Sequence, residues 1–341
     1  MAQSMKSTTG RIPMKYMMVM MMIVLPTWGD ALDAALADAE KNKKVIKVNA
    51  DGSGDFKTMT DAINSIPAGN KDRIVLSIGP GEYVEKIKVD GNKPFVTFYG
   101  APGSMPTLSF HGTSGEYGTV DSASVIVLSD YFVAANIIFK NTAPPPSGQG
   151  SGQGGQAVAM RISGDMAAFY NCKFIGFQDT LLDDKGRHYF KDCYIEGTVD
   201  FIFGSGKSLY MNTELHSVAK DLAVITAQAR KSDSEDDGYS FVHCTVTGTG
   251  DIYLGRPWFP FGKVIFANTE LCDKVNPVGW HVGVGVATDN VFFVEYQNTG
   301  PGSNTDKRPT WVKTKLSDAE VQPFLSTKYI DGDNWLQPPP T

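Results

Sequence analysis

From Val45 onward the chain alternates short apolar runs with Gly, Asn and Asp, a pattern typical of closely spaced β-strands. The clearest runs are VIKV at 45–48, RIVLSIG at 73–79, KIKV at 86–89, FVTFYG at 95–100 and SVIVLS at 124–129. Residues 58–66 differ, because their apolar positions fall on one helical face and the segment ends at Pro67. We therefore predict an all-β fold with one short helix near its start.

A six-position pattern recurs through the middle of the chain: an apolar residue, any residue, Asn, Asp or His, any two residues, and a second apolar residue. Its copies are Ala134-x-Asn136-x-x-Phe139, Phe169-x-Asn171-x-x-Phe174, Phe190-x-Asp192-x-x-Ile195, Tyr210-x-Asn212-x-x-Leu215, Phe241-x-His243-x-x-Val246 and Phe266-x-Asn268-x-x-Leu271. The steps in sequence number between successive polar positions are 35, 21, 20, 31 and 25. Short strands at this spacing indicate a parallel β-helix, in which successive coils stack about 4.8 Å apart. Chance similarity among strand-like segments is the alternative.

The segment 1–29 has the features of a signal peptide. Three basic residues precede the apolar run 16–25, which is followed by Pro26 and Gly29. That run is too short for a membrane span, which needs about 20 residues. The alternative is a buried first helix, but the run has no polar face. We predict a signal peptide at 1–29, a helical or loose lead-in at 30–44 and one β-helix domain at 45–341.

Composition and charge narrow the function. The 341 residues are 42% hydrophobic and 20% charged, as expected for a folded protein rather than a disordered or collagenous one. The net charge is −6, and because residues 1–29 hold three basic residues and no acid, the remainder carries 28 − 37 = −9. Such a charge argues against general binding to nucleic acid or anionic membranes. None of the four cysteines has the spacing of a zinc site.

Sliding the sequence along itself superposes two carboxylates. The shift that places Cys172 on Cys193 also places Asp179 on Asp200. Adjacent carboxylates resist joint ionisation, so one pKa should rise while the other acid stays ionised, as acyl or glycosyl transfer requires. Arg256 is a candidate partner for Asp200. The alternatives are a calcium site or two surface turn acids.

Two glutamines and two cysteines also fall in this part of the coil. Gln178 precedes Asp179, and Gln156 lies on the preceding coil of the repeat, so their amides could face a developing oxyanion. Either one could equally be an ordinary surface residue. Cys172 and Cys193 would lie about one strand spacing apart, which permits a disulfide or two stacked buried thiols.

Five ordered blocks resemble the signatures of plant pectin methylesterases, over residues 45 to about 336. They are Gly81-Glu-Tyr-Val-Glu85, Gln156-Ala-Val-Ala-Met-Arg161, Gly176-Phe-Gln-Asp-Thr-Leu181, Asp200-Phe-Ile-Phe-Gly204 and Leu254-Gly-Arg-Pro-Trp258. The resemblance implies a right-handed, single-stranded parallel β-helix that hydrolyses methyl esters of polygalacturonate in the cell wall, without metal or organic cofactor. The implied partner is methyl-esterified homogalacturonan, and a protein inhibitor is a second; a secreted monomer is expected.

The resemblance also implies a role for each site residue. Asp200 is the implied nucleophile and Asp179 the general acid and then base. Gln156 and Gln178 are the implied oxyanion donors, and Arg256 orients Asp200. The implied groove residues are Thr119, Trp258 and Trp280.

Two departures from the family pattern stand out. Many relatives have an aromatic residue after the QDTL block, whereas this chain has Leu182 followed by Asp183-Asp184-Lys185-Gly-Arg187, so we expect its groove preference to differ. No inhibitor-like pro-region fits before Val45, which is similar to the pollen-type branch.

Some alternatives stay open at this level. Phe201, Phe203 and Tyr189 could stack on sugars or belong to the core. A pectate lyase, a polygalacturonase and a non-enzymatic wall-binding module are the rival functions, and methanol release would distinguish the esterase from all three.

Overall fold

The computed structural model describes Met1 and residues 32–146, 154–283 and 285–338. The predicted signal peptide therefore lies outside the described residues, apart from Met1. Within the described ranges, no helix has the length and apolar character needed to cross a membrane.

The chain winds into a coil of short strands with few helices. The first twelve strands are β1 (Lys44–Val48), β2 (Ile74–Ile78), β3 (Glu82–Val84), β4 (Ile87–Val89), β5 (Val96–Gly100), β6 (Thr107–Phe110), β7 (Val125–Val127), β8 (Val133–Ala135), β9 (Ile138–Asn141), β10 (Met160–Ile162), β11 (Ala167–Tyr170) and β12 (Lys173–Ile175). The remainder are β13 (Leu181–Asp183), β14 (Arg187–Lys191), β15 (Tyr194–Gly197), β16 (Ile202–Gly204), β17 (Lys207–Met211), β18 (Glu214–Gln228), β19 (Gly238–Val242), β20 (Thr245–Pro257), β21 (Lys263–Ala267), β22 (Glu270–Leu271), β23 (Phe292–Tyr296) and β24 (Val312–Lys313). The helices are α1 (Ala34–Lys41), α2 (Met59–Ser65), α3 (Ser114–Tyr117) and α4 (Asp318–Val321), with short 3₁₀ turns at Val120–Ser122, Pro301–Ser303, Gln322–Phe324, Thr327–Ile330 and Gly332–Asn334.

These strands form three faces of a parallel β-helix, because each strand pairs in parallel with its counterpart one coil away. The first face is the ladder β1-β2-β5-β8-β11-β14-β17-β19-β21-β23-β24. The second runs through β3, β6, β9, β12 and β15, and the third through β4, β7, β10, β13 and β16. The long strands β18 and β20 continue both the second and the third face, with an irregularity between Val218 and Leu222. The prediction of a parallel β-helix is confirmed.

The repeated polar residue marks one corner of every coil. All six positions named above adopt a left-handed backbone, with φ between 48° and 58°. Asn and Asp tolerate this conformation better than most residues with a side chain. Their side chains also bond between coils, since Asn171 donates to Asn136 Oδ1 at 2.8 Å and Asn212 donates to Asp192 Oδ1 at 2.6 Å. The corner thus explains why the sequence repeats a short polar residue there.

The apolar residue two places before each corner builds the core. Phe169, Phe190, Tyr210, Phe241 and Phe266 occupy register positions on successive coils, and their rings stack at centroid distances of 4.5 to 4.7 Å. All five are fully buried. The column ends at Glu295, which pairs with Phe266 in the ladder.

The predicted helix near the start packs against the first coils. Helix α2 buries Met59, Ala62 and Ile63, and the Thr58 side chain caps it by accepting from the N–H of Asp61 at 3.1 Å. It ends at Ser65, with Ile66 as the C-cap immediately before the predicted stop at Pro67. The lead-in contains a second helix, α1, which lies against other elements through Leu36 and Ala39.

Removing one ring from the aromatic column tests its contribution to stability. We expect Phe190→Ala to lower the free energy of unfolding by about 3–5 kcal/mol, because it leaves a cavity between two stacked rings. Urea unfolding followed by fluorescence measures the change. Leu222→Ala, at a side chain that is 41% exposed, is the control and should change it by less than about 0.5 kcal/mol. A loss for Phe190→Ala no greater than that of the control would contradict the packing argument.

Candidate active site

The two superposed carboxylates lie on adjacent coils, as predicted. Asp179 and Asp200 each stand two places before a strand of the third face, and those strands pair Leu181 with Ile202. The N–H of Asp179 donates to the carbonyl of Val199 at 3.1 Å. The shift that superposes the two acids in the sequence is therefore the true register, and they occupy neighbouring rungs.

Both acids take the left-handed conformation, with φ of 65° at Asp179 and 52° at Asp200. A glycine with little free space around it, Gly176 or Gly197, lies three residues before each acid. A side chain at Gly197 would bring its Cβ within 2.2 Å of the Cβ of Phe201. Glycine is therefore required at this turn, which brings the chain from the second face to the third.

Arg256 binds Asp200 through a bidentate ion pair. Its Nε and Nη2 donate to the two oxygens of Asp200, at 2.8 and 2.5 Å. In register, Phe203 pairs with Ala227, and Ala227 pairs with Arg256, so the arginine reaches back across two rungs. The Asp200 carboxylate is 8% exposed, so its charge is largely shielded from water and needs this partner.

Asp179 is buried beside this ion pair and is 8% exposed. Burial and the neighbouring Asp200 charge raise the pKa of Asp179 well above its ordinary value, and Arg256 only partly opposes them. The ion pair in turn raises the pKa of Arg256. One carboxylate thus has a cationic partner, and the other is driven towards its protonated form.

The two glutamines lie on successive coils, and Gln178 directly precedes Asp179. Gln178 is 9% exposed, and its backbone carbonyl accepts from the N–H of Ala157 on the preceding coil at 3.1 Å. The Ser114 hydroxyl donates to Gln156 Oε1 at 2.6 Å, which leaves the Gln156 NH₂ group free to donate elsewhere. Ser114 was not predicted. It is distant from Gln156 along the chain, and no sequence signal connects the two.

Trp258 and Thr119 are accessible to solvent, whereas Trp280 is not. Trp258 is 39% exposed and its ring lies 5.9 Å from that of Phe203. Thr119 is partly exposed and precedes a 3₁₀ turn, where its carbonyl accepts from the hydroxyl of Ser122. The prediction of Trp280 as a groove residue is wrong. Its side chain is fully buried, stacks on Phe293 at 4.5 Å and donates from Nε1 to Glu295 at 2.9 Å.

The other aromatic candidates belong to packed clusters. Phe201 is fully buried in the core, and Phe203 is 2% exposed in a small cluster with Leu182 on the outside of the third face. Tyr189 is 8% exposed within a third cluster. Core packing, one of the two interpretations left open, therefore describes all three.

A disulfide between Cys172 and Cys193, one of the two alternatives, is not formed. Both are buried free thiols, and each sulfur lies within hydrogen-bond distance of a backbone carbonyl, Tyr170 for the first and Lys191 for the second, at 3.4 Å. The register is as expected, so the alternative of two stacked thiols describes the structure. Among the described residues, no group of three or more His, Cys, Asp or Glu side chains is arranged to hold a metal ion.

Comparison with known proteins identifies the family. The family described as Pectinesterase matches residues 45–333. The chain belongs to the pectinesterase family. Probable pectinesterase 50 of Arabidopsis thaliana is 53% identical over 311 residues, which cover 91% of this chain and 85% of that one. Pectinesterase 1 of Olea europaea is 56% identical over 310 residues, which cover 90% and 84%.

Solved structures agree with this assignment. The pectin methylesterase from carrot superposes with a TM-score of 0.80 at 32% identity, covering 85% of this chain and 94% of that one. This pectinesterase therefore has the right-handed parallel β-helix of the family and is a carboxylic ester hydrolase. It hydrolyses methyl esters of polygalacturonate through an aspartyl acyl-enzyme, leaving pectate and methanol. The match is to esterases, not to the rival lyase or polygalacturonase.

The raised pKa of Asp179 has a spectroscopic consequence. We expect Asp179 to stay protonated at a pH above about 3.9, the ordinary pKa of an aspartate. The infrared difference between wild type and Asp179→Asn should then contain the band of a protonated carboxyl group. Asp192→Asn, at an exposed aspartate whose pKa is lowered by its neighbours, should show only carboxylate bands. Carboxylate bands alone for Asp179 would contradict the electrostatic account.

Proposed function

We propose that in this pectinesterase Asp200 is the nucleophile and Asp179 the general acid and base. The asymmetry between the two acids carries the proposal. Asp200 is oriented by the guanidinium of Arg256, with one oxygen on each of two nitrogens. Asp179 lies on the next rung with a pKa raised by burial and by the Asp200 charge, so it can hold a proton to give away.

In the first step, an oxygen of Asp200 attacks the C6 carbonyl carbon of a methylated galacturonate. The carbonyl oxygen gains the negative charge, which the NH₂ groups of Gln156 and Gln178 stabilise by hydrogen bonds. Asp179 then protonates the methoxy oxygen and methanol leaves, so that C6 is joined to Asp200 as an anhydride. Loss of one such donor typically lowers turnover by about 10²–10³.

In the second step, Asp179 is ionised and takes a proton from water. The hydroxide attacks C6, the bond from C6 to Asp200 breaks, and Asp200 leaves as a carboxylate. The sugar departs as the free acid, with Asp179 protonated again. The contact between Ser114 and Gln156 supports the assignment of the donors. It holds the side-chain oxygen of Gln156 on the Ser114 hydroxyl, so that the NH₂ group stays available to donate.

We assign Thr119 and Trp258 to the wall that holds the polysaccharide. Trp258 supports this role by its exposure and by its contact with Phe203, next to the rung of Asp200. A large exposed aromatic ring is suited to stack on a sugar face.

Replacing the nucleophile by its amide tests the assignment of Asp200. We expect Asp200→Asn to abolish methanol release from highly esterified pectin, because an amide cannot form the anhydride. Asp192→Asn is the matched control, since Asp192 also has a left-handed backbone, with φ of 55°, but lies on an exposed corner. Circular dichroism checks that both variants fold. Near-normal turnover by a folded Asp200→Asn protein would refute the assignment.

The cellular context is a further part of the proposal. Plant pectinesterases act on the pectin of the cell wall, and the basic and apolar pattern of residues 1–29 supports secretion to that compartment. We propose that the protein acts there as a monomer and that a protein inhibitor can bind it. Secreted protein should begin near Asp30 on amino-terminal sequencing and sediment as a single chain. An intact residue 1 on the secreted protein would contradict the signal-peptide assignment.

A further inference from the structure

A charged pair without any exposed surface lies at the far end of the strand that follows Asp179. Asp183 ends β13, and His188 lies on β14, the next strand of the same coil. Both side chains are fully buried. The segment was noted in the sequence as a departure after the QDTL block, but the catalytic mechanism does not use either residue.

The geometry fixes the number of protons on the pair. Nδ1 of His188 lies 2.5 Å from Asp183 Oδ1, and Nε2 lies 2.9 Å from the carbonyl oxygen of Gly164. A carbonyl oxygen cannot donate, so Nε2 carries a hydrogen. An ionised carboxylate cannot donate either, so Nδ1 carries another. The contacts therefore correspond to a buried imidazolium–carboxylate pair.

The pair connects four successive coils. Gly164 follows β10 on the preceding coil. On the following coils, the Tyr210 hydroxyl donates to Asp183 Oδ2 at 2.6 Å, and the Tyr239 hydroxyl donates to the Asp183 carbonyl at 3.2 Å. All of these groups are inside the coil, where a broken hydrogen bond cannot be replaced by water.

Few other ionisable groups in the described part of the chain face the pair. Tyr210 and Tyr239 approach from β17 and β19, and burial raises the pKa of each well above its ordinary value, so both stay neutral. The charge of Asp165, in the turn before β11, also acts on His188, but Arg187 binds Asp165 at 2.5 Å. The proton that can leave at moderately alkaline pH is therefore the one on His188.

We propose that the Asp183–His188 pair is a proton-dependent positioning device for the rung that carries Asp179. Strand β13 has only three residues, with Asp179 two places before it and Asp183 at its end. The proton lost would be the one on Nε2, because the Asp183 carboxylate keeps the proton on Nδ1. The Nε2 lone pair would then face the carbonyl oxygen of Gly164, and these two groups must separate. That separation moves His188, with Asp183 bound to it, away from the preceding coil and shifts the rung of Asp179 relative to Asp200. The proposal rests on the catalytic role assigned to Asp179.

The sign of the pH effect follows from the pKa of His188. Burial by itself lowers that pKa, but the charge of Asp183 and the hydrogen bonds to Asp183 and Gly164 outweigh it, so the pKa is raised. The stabilisation is therefore fully present below about pH 6.5, the pKa of an unfolded histidine, and is lost as the pH rises through the higher folded value.

Asp183→Asn separates the charge from the hydrogen bonds. The amide can donate to Nδ1 of a neutral His188 and accept from Tyr210, while Nε2 still donates to Gly164. Asp192→Asn, at an exposed corner of the same coil, is the matched control. For each protein kcat, KM and the unfolding temperature are measured between about pH 6.5 and pH 9, below the ordinary pKa of tyrosine.

We expect the ratio of kcat in Asp183→Asn to kcat in wild type to rise roughly tenfold across this range, with KM in constant proportion, since small misplacements of catalytic groups are costly. Any alkaline loss due to Asp179 itself is common to both proteins and cancels in the ratio. The alkaline fall in the unfolding temperature of wild type should also be absent from Asp183→Asn and present in Asp192→Asn.

Each other outcome overturns the proposal in a defined way. A constant kcat ratio with a changed unfolding profile would leave a stabilising pair with no positioning role. Constant ratios in both measurements would reject the pair as a device altogether. If Asp183→Asn does not fold, imidazole ¹⁵N resonances of wild type decide, because one of the five histidines must remain an imidazolium above about pH 6.5, the ordinary pKa of histidine. Activity in Asp179→Asn would refute the role of Asp179 while leaving the unfolding and resonance tests intact.

Discussion

The structure depends on the exact stacking of one coil on the next. Parallel strands hold neighbouring coils about one strand spacing apart, and an error of one position would turn every side chain of a strand to the opposite side. The left-handed corners prevent such an error, because each needs a residue that tolerates positive φ. Asn171 and Asn212 occupy two of these corners and bond to the corner residues of the coils before them. The adjacency of Asp179 and Asp200 follows from this register.

The same left-handed backbone conformation occurs at Asp192, a structural corner, and at Asp200, the proposed nucleophile. Asp192 and Asp200 have almost the same φ, 55° and 52°, and flank the two ends of β15 on the second face. Asp192 is exposed, accepts from Asn212 and has a lowered pKa. Asp200 is buried and is held by the guanidinium of Arg256. Solvent exposure and hydrogen-bond partners, not backbone geometry, therefore distinguish the corner residue Asp192 from Asp200, the proposed nucleophile.

Features that repeat along the chain could be predicted from the sequence, and isolated contacts could not. The corners, the aromatic column and the shift between Asp179 and Asp200 all leave a periodic signal. Arg256 could be predicted as a partner of Asp200 because a buried carboxylate needs one. The contact of Ser114 with Gln156 joins distant segments and leaves no such signal. Trp280 shows a different limit, since an aromatic residue suits both a sugar-binding wall and a core. Its place inside the coil is fixed by Glu295, a buried acid that interrupts the aromatic column and accepts from the indole N–H.

Strand β13, which follows Asp179, places side chains both inside and outside the coil. Side chains of β13 alternate, so Leu182 packs outside with Phe203 while Asp183 enters the core. The departure from the family pattern after Leu181 was expected to alter the groove. Asp183, one of the residues in this segment, instead lies inside the coil and accepts from Tyr210. The three buried acids of this region consequently have three environments. Among the described residues, Asp179 has no cationic partner in direct contact, Asp183 has a histidine and Asp200 has an arginine. Burial and the neighbouring charge of Asp200 raise the pKa of Asp179, and the proposed division of catalytic labour depends on this difference in environment.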